Sequence, residues 1–281
     1  MSRKLLLLLG VLLTTLALAA CGTGEQGSTS SNGGVEKAVL KVGMEAGYAP
    51  FNWTQQDDSN GAVKISGTPE YAGGYDVQIA KKIANGLGME LEVVKIEWDG
   101  LVPALQSGVV DAIIAGMSPT EKRKLSIDFT ENYYTSDFVI VMKKGGKFEK
   151  AKTLADYKGA KITAQLNTTN YDVIDQIPEV KKQSAMDNFP AMRVAVETGV
   201  IDGYVAERPE AISAAAANKK FTYSELKDGF KTEPEDTAIA IGVRKQYELT
   251  DKMNEILKSI SEDDRQKLMK DAISQQPASN E

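Results

Sequence analysis

A fifteen-residue pattern occurs twice in this 281-residue chain. Trp98-Asp99-Gly100-Leu101-Val102-Pro103-Ala104-Leu105-Gln106-Ser107-Gly108-Val109-Val110-Asp111-Ala112 has an echo 91 residues later. There the chain reads Phe189-Pro190-Ala191-Met192-Arg193-Val194-Ala195-Val196-Glu197-Thr198-Gly199-Val200-Ile201-Asp202-Gly203. Each copy opens on an aromatic, continues as a helix, and reaches a glycine suited to a left-handed helix end. It then enters a strand through Val-Val-Asp or Val-Ile-Asp. Helix–Gly–strand units recur in any α/β protein, but here Gly, Val and Asp coincide in register. The duplication points to two related lobes, each an α/β sheet, with ligand loops at strand C-termini facing one another.

The rest of the chain fits that frame. Residues 39–44 read as a buried strand. Residues 76–87 read as a helix with Val77, Ala80, Ile83, Ala84 and Leu87 on one face. A second strand at 91–96, a short helix at 101–106 and a third strand at 112–115 follow. This alternation predicts an α/β fold with mostly parallel sheets flanked by helices. Asn60-Gly61, with Val63 and Ile65 after it, is a hairpin signal on a surface excursion. Residues 161–165 form a strand of the second lobe. An apolar strand at 238–243 after Pro234, and helices near 251–260 and 262–273, are expected to return to lobe one across a two-stranded hinge. The predicted organisation is lobe one at 35–135 and 237–281, with lobe two at 136–236.

The N-terminal segment reads as an address and a tether. Arg3 and Lys4 precede residues 5–20, which carry no charge and are short for a spanning helix of about 20. Leu18-Ala19-Ala20-Cys21 resembles the bacterial lipobox, in which the cysteine is lipidated and becomes the mature N-terminus. An ordinary signal peptide with a chance cysteine is the plainer reading. Of the thirteen residues 22–34, ten are Gly, Ser or Thr, a flexible run reaching about 20 Å. So 1–20 is read as a signal peptide and 21–34 as lipidated cysteine plus linker, placing the protein on the cell membrane, outside the cytoplasm.

Composition removes several classes. There is no histidine, and Cys21 is the single cysteine. Zinc sites of the usual kinds, histidine-dependent nucleophile pairs and internal disulfides are therefore excluded, and no metal or cofactor is expected. Removing Arg3 and Lys4 leaves 31 basic against 39 acidic residues, a net charge of −8. That balance argues against a nucleic-acid partner.

Several loops carry groups that could meet between the lobes. Ala115-Gly116-Met117-Ser118-Pro119-Thr120-Glu121-Lys122-Arg123 follows the third strand. Ser118 can cap a helix with Pro119 first and Glu121 completing a capping box, leaving Arg123 solvated. The same geometry suits a carboxylate, held at a helix start and by a guanidinium. In lobe two, Gln165 ends a strand and Thr168 can cap the next helix. Glu207 either sits at a helix start, where negative charge is favourable, or meets an ammonium group. Tyr48, Phe51 and Trp98 are core aromatics or ligand-facing ones.

Together these loops resemble one family. Tyr48-Ala49-Pro50-Phe51, Gly74-Tyr75-Asp76-Val77, the stretch from Asp111 to Ser118, Ile127-Asp128-Phe129-Thr130 before Tyr133-Tyr134, and Gln165 to Thr169 occur in order. The chain is similar, over residues 37–275, to polar amino-acid solute-binding proteins of bacterial ABC importers, of the histidine and lysine/arginine/ornithine kind. The resemblance implies a type II periplasmic-binding-protein fold, a monomer, a free amino acid as ligand and a membrane permease as partner. It further implies that Arg123, Ser118, Thr120 and Thr169 hold the α-carboxylate, with Glu207 at the usual aspartate position for the α-ammonium. Tyr48 and Trp98 would sandwich the ligand stem and Glu45 would meet a distal group, an acid plus two aromatics suiting a cationic side chain through pairing and cation–π contact. The sequence departs from the family at Glu207, one methylene longer, and at Asn167, where glycine is usual. It departs too at Ala115 and Gly116, where hydroxyl-bearing residues are usual in basic-residue binders. Glutamine, another polar amino acid or cystine stays open as ligand. A cyclohexadienyl-dehydratase-like enzyme on the same fold, with Glu207 or Glu45 as acid, and a lipoprotein adhesin or sensor are the rival readings.

Overall fold

A computed structural model describes residues 37–277; the signal segment, Cys21 and the linker lie outside them. The chain begins with β1 (Val39–Met44), then β2 (Gly47–Tyr48), β3 (Asn52–Gln55), β4 (Val63–Lys64) and β5 (Tyr71–Gly73). Helix α1 (Tyr75–Leu87), β6 (Glu90–Lys95), α2 (Leu101–Gln106), β7 (Ala112–Ile113), α3 (Glu121–Lys124) and β8 (Asp128–Thr135) follow. It then crosses to a second sheet through β9 (Phe138–Lys143), β10 (Lys161–Thr163), α4 (Thr169–Asp172) and β11 (Lys181–Lys182). That lobe finishes with α5 (Phe189–Thr198), β12 (Gly203–Glu207), α6 (Arg208–Ala217) and β13 (Phe221–Tyr223). The return brings α7 (Pro234–Thr237), β14 (Ala238–Val243), α8 (Thr250–Lys258) and α9 (Glu262–Gln275).

The two main sheets have the same ladder pattern. The first runs β6-β1-β7-β14-β8 and the second β11-β10-β12-β9-β13. In each, the first two pairings are parallel and the last two antiparallel. The fold is the expected two-lobed α/β one with helix-flanked sheets, and in each sheet four of the five strands share one direction. The exceptions are β14 and β9, the strands beside the crossing between the lobes, which run against their neighbours on both sides. All six residues of β14 are buried, as suits a strand flanked on both edges. At the crossing, Ser136 N–H donates to Thr237 O at 3.0 Å, so the outgoing and returning segments are bonded to one another.

The duplicated pattern acquires a physical meaning here. Gly108 and Gly199 both take left-handed φ, 78° and 77°. The following amides fold back alike, Val109 to Ala104 O and Val200 to Ala195 O, both at 2.9 Å. Each aspartate then clasps a lysine of the neighbouring parallel strand by its backbone. Lys41 N–H donates to Asp111 Oδ2 at 3.0 Å, and Lys161 N–H donates to Asp202 Oδ2 at 2.8 Å. The aspartate amides donate back to Lys41 O and Lys161 O, each at 2.8 Å. An aspartate satisfies a strand amide that the ladder leaves over, and does so once per lobe.

Three local expectations change. Strands β7 and β10 end two residues early, because both chains turn there toward the crevice between the lobes. Asn60 and Gly61 do form a left-handed turn, with φ of 56° and 72°. The strands on either side of it, however, do not pair with each other; β3 and β4 both pair with β5 in a small four-stranded sheet.

The clasp predicts an ordered pair of losses in urea unfolding. Asp202→Ala removes one charge-assisted bond, for about 1.5 kcal/mol. Asp111→Ala loses about 0.5 kcal/mol more, because Asp111 also accepts from Arg244 at 3.1 Å on a half-exposed surface. Equal wild-type stability for both variants would refute the clasp.

Candidate functional site

The crevice is lined from both lobes by loops that follow strands. From lobe one come Tyr48, Trp98, Gly116, Ser118 and Arg123; from lobe two come Gln165, Thr168, Thr169, Asn170, Phe189 and Glu207. Glu45, Ala115 and Thr120 do not line it. Ala115 is buried behind the wall. Glu45 is buried beside the crevice, where Gln165 Nε2 donates to its Oε2 at 3.0 Å and its Oε1 at 3.3 Å.

The helix start expected at Ser118 lies two residues later. Thr120 is the N-cap of α3, its hydroxyl accepting from Arg123 N–H at 3.4 Å. Ser118 is drawn away because its hydroxyl donates to Asp236 O at 2.9 Å, on the segment returning from lobe two. No Ser118–Glu121 capping box forms. Thr168 occupies the N-cap position of α4, yet its hydroxyl donates to Gln165 O at 2.6 Å and caps nothing. These hydroxyls tie loops together rather than end helices.

Arg123 is the cation of the crevice. One guanidinium nitrogen donates to Ser118 O at 2.9 Å and another to Asn167 O at 3.1 Å, bridging the lobes. Its face lies over the Trp98 ring, 5.0 Å from the centroid. Burial lowers its pKa to about 10, against the pull of Glu207, Asp172 and Asp236, so it stays charged at neutral pH. Asn167 adopts φ 56°, the left-handed conformation that its short polar side chain tolerates.

Glu207 is the anion. It stands at the end of β12 and the N-cap of α6, buried, and accepts a hydrogen bond from the Tyr48 hydroxyl across the crevice. Burial raises its pKa, opposed by Tyr48, Asn170 and Arg123. Burial likewise pushes the Tyr48 phenol well above its ordinary value, and Glu207 adds to the effect. Glu45 is pushed up to about 7, chiefly by burial and then by Glu97 and Asp99, while Gln165 and Lys95 act the other way.

The aromatics are arranged differently from a Tyr48–Trp98 sandwich. Tyr48 stacks on Phe51 at 4.8 Å and on Phe189 at 4.4 Å with planes 14° apart, while Trp98 covers Arg123. With the lobes together, Phe189 takes the face of Tyr48 left open by Phe51. Such a stack contributes about 1 kcal/mol beyond its area. Phe189 and Asn170 are the lining residues that sequence reasoning missed. A signal for Phe189 existed, since it heads the second copy as Trp98 heads the first; both heads reach one crevice.

The space left inside is about 10 Å³, room for a single water. A larger guest enters only if the lobes part. A surface groove of about 770 Å³ lies elsewhere, around Asp128 and Tyr247. Its Asp128 is already paired with Lys245 at 2.8 Å, and it sets no guanidinium against a carboxylate of the other lobe. Charge placement, rather than volume, marks the site. Among the described residues no helix is long and apolar enough to cross a membrane.

A family model described as bacterial extracellular solute-binding proteins, family 3, matches residues 40–274. The chain is similar to the arginine-binding extracellular protein ArtP of Bacillus subtilis strain 168, 30% identical over 278 residues, covering 92% of this chain and 93% of that one. It is also similar to a probable histidine-binding protein of Campylobacter jejuni, 31% identical over 220 residues, covering 75% and 80%. Among solved structures, an amino acid ABC transporter substrate-binding protein from Streptococcus pneumoniae bound to L-arginine superposes with a TM-score of 0.74. It is 26% identical, with 84% of this chain and 94% of that chain covered. The chain belongs to the bacterial extracellular solute-binding proteins, family 3.

Proposed function

We propose that this protein is the amino-acid receptor of an ABC importer, acting as a monomer tethered outside the cytoplasm by a lipid on Cys21. The carrying observation is the opposition of Arg123 and Glu207, one from each lobe, in a single crevice. A free amino acid has opposite charges on its α-carbon. Its carboxylate would replace Ser118 O and Asn167 O on Arg123, helped by Ser118 and Thr169. Its ammonium would replace the Tyr48 hydroxyl on Glu207. Thr120, committed to the cap of α3, steadies Arg123 rather than touching the ligand. Neither lobe alone offers both charges, so the ligand favours the closed form through contacts that the open form lacks. The closed lobes then dock on the permease.

For the side chain, the reading favours a cation. Glu45 lies beside the crevice and reaches it through Gln165. Relatives described as arginine- or histidine-binding, and an arginine-bound structural neighbour, support a basic ligand. Glutamine, another polar amino acid or cystine would be distinguished by a thermal-shift panel of the twenty amino acids plus ornithine and cystine. A true ligand at a hundred times its Kd adds about 2.7 kcal/mol, or roughly 5–10 °C in Tm for a chain this size. A panel with no shift would end the receptor reading.

Two further outcomes are expected. Arg123→Ala leaves the protein folded by circular dichroism but weakens the ligand by about 100-fold or more in calorimetry, as loss of a desolvated charge partner requires. The second concerns pH. A cationic side chain pairs with ionised Glu45, which in the free protein titrates near 7. Below pH 7 a proton must leave before pairing, so arginine affinity falls by about tenfold per pH unit from 7 toward 5. Above pH 8 it is flat. Glu45→Gln abolishes that slope and weakens arginine far more than glutamine. A wild-type arginine affinity independent of pH would show that Glu45 does not read side-chain charge.

A further inference from the structure

Asp76 is wholly buried at the second position of α1, in the Gly74-Tyr75-Asp76-Val77 stretch that has no place in the crevice. Both its oxygens are taken. Asn52 Nδ2 donates to Oδ2 at 2.8 Å, and the Tyr133 hydroxyl donates to Oδ1 at 2.8 Å. A phenol has one proton, and Tyr133 gives it to Asp76; its oxygen is therefore free only to accept. It accepts the N–H of Gly116, at 3.2 Å.

Gly116 is a crevice residue under tight constraint. Its φ is +64°, and a Cβ there would lie 2.6 Å from Tyr48 Cε1. It is therefore held between Tyr133 on one side and the Tyr48 ring on the other. The same helix start holds the loop bearing Tyr48. Tyr75 N–H donates to Pro50 O at 3.0 Å, and Asp76 N–H donates to Phe51 O at 2.7 Å. Tyr133 is itself fixed by the Tyr75 hydroxyl, which donates to its carbonyl at 2.9 Å. One helix start thus pins both parts of the lobe-one wall, the aromatic loop by backbone bonds and the Gly116 turn through Tyr133.

We propose that Asp76 and Tyr133 are positioning residues for ligand capture: they lock the Gly116 turn against Tyr48, which sets the Ser118–Arg123 loop before the lobes close. This rests on reading the crevice as an amino-acid site. The direction of the Tyr133 hydrogen bond is the active element. Asp76 as a carboxylate can only accept, which turns the phenol proton away from Gly116; burial lifts its pKa only to about 6, so it is ionised at pH 7.5. An amide at position 76 can donate to Tyr133 instead, turning the phenol proton toward the Gly116 N–H, donor against donor.

Tyr133→Phe and Asp76→Asn therefore release the same amide by different chemistry, and either serves if the other fails to fold. Backbone hydrogen exchange at pH 7.5 should run about tenfold faster at Gly116 in the folded variants, with Ile79, Ala80 and Ile83 in α1 unchanged. Calorimetry with L-arginine as probe should show a five- to tenfold weaker Kd in both variants. Faster exchange confined to Gly116 with weaker arginine binding supports the lock. Unchanged exchange at Gly116, or arginine affinity equal to wild type despite faster exchange, overturns it. If the wild-type protein binds no amino acid in the panel, the crevice reading fails; the exchange result then still decides whether the Gly116 lock exists.

Discussion

Charged groups removed from water must be met by partners, and this one constraint orders the crevice. Arg123 and Glu207 come from different sheets, and each is met across the gap by a group of the opposite lobe. Arg123 finds the Asn167 carbonyl; Glu207 finds the Tyr48 hydroxyl. Were the lobes to part, as the proposed capture requires, both ions would face solvent and neither would be stranded. Closing on a zwitterion, as proposed, would exchange these partners one for one, with stronger ionic ones. A crevice built this way tolerates both closed and open forms, because in neither is a full charge left dry and unpaired.

The duplication explains why the two lobes can serve one ligand. Each sheet repeats parallel, parallel, antiparallel, antiparallel, and each carries a left-handed glycine and an aspartate clasp at equivalent places. The equivalent heads of the two copies, Trp98 and Phe189, reach the crevice from opposite sides. Related lobes facing one another bring unlike side chains from like positions to one point. The charges are not duplicated: the guanidinium belongs to one lobe, the carboxylate to the other.

What could be read in the chain was what local chemistry decides. Helix–Gly units declare themselves because a left-handed helix end is a local need, although the strand amides that the following aspartates accept lie 70 and 41 residues away. Positions after strands made Arg123, Glu207, Ser118 and Tyr48 candidates beside plainer alternatives, and the family resemblance assigned them to the site. The Ser118 cap was misplaced because a contact 118 residues away, the Asp236 carbonyl, competes for that hydroxyl. Phe189 was passed over because its stacking partner lies in the other lobe, and no periodicity encodes a ring across a cleft. The share of antiparallel pairing escaped for the same reason, since the direction of β9 and β14 is settled by where the chain crosses.

Two of the departures from the family pattern, at 116 and 207, meet on one ring. Tyr48 lies over Gly116, where a Cβ would stand 2.6 Å from its Cε1; a hydroxyl-bearing residue there would displace the ring. In that position the Tyr48 hydroxyl reaches the Glu207 carboxylate, and the added methylene of glutamate over aspartate extends toward it. Asn167 acts on Arg123 instead. Its left-handed backbone presents the carbonyl to Arg123, and its amide donates to Asp99 Oδ1 at 2.9 Å, a bond that glycine could not make. A small residue at 116 and a long acid at 207 thus both bear on Tyr48, while the side chain at 167 ties the Arg123 loop contact to Asp99. Gly116→Ser would push the Tyr48 ring and Glu207→Asp would draw the carboxylate back from it, whereas Asn167→Gly would lose only the bond to Asp99.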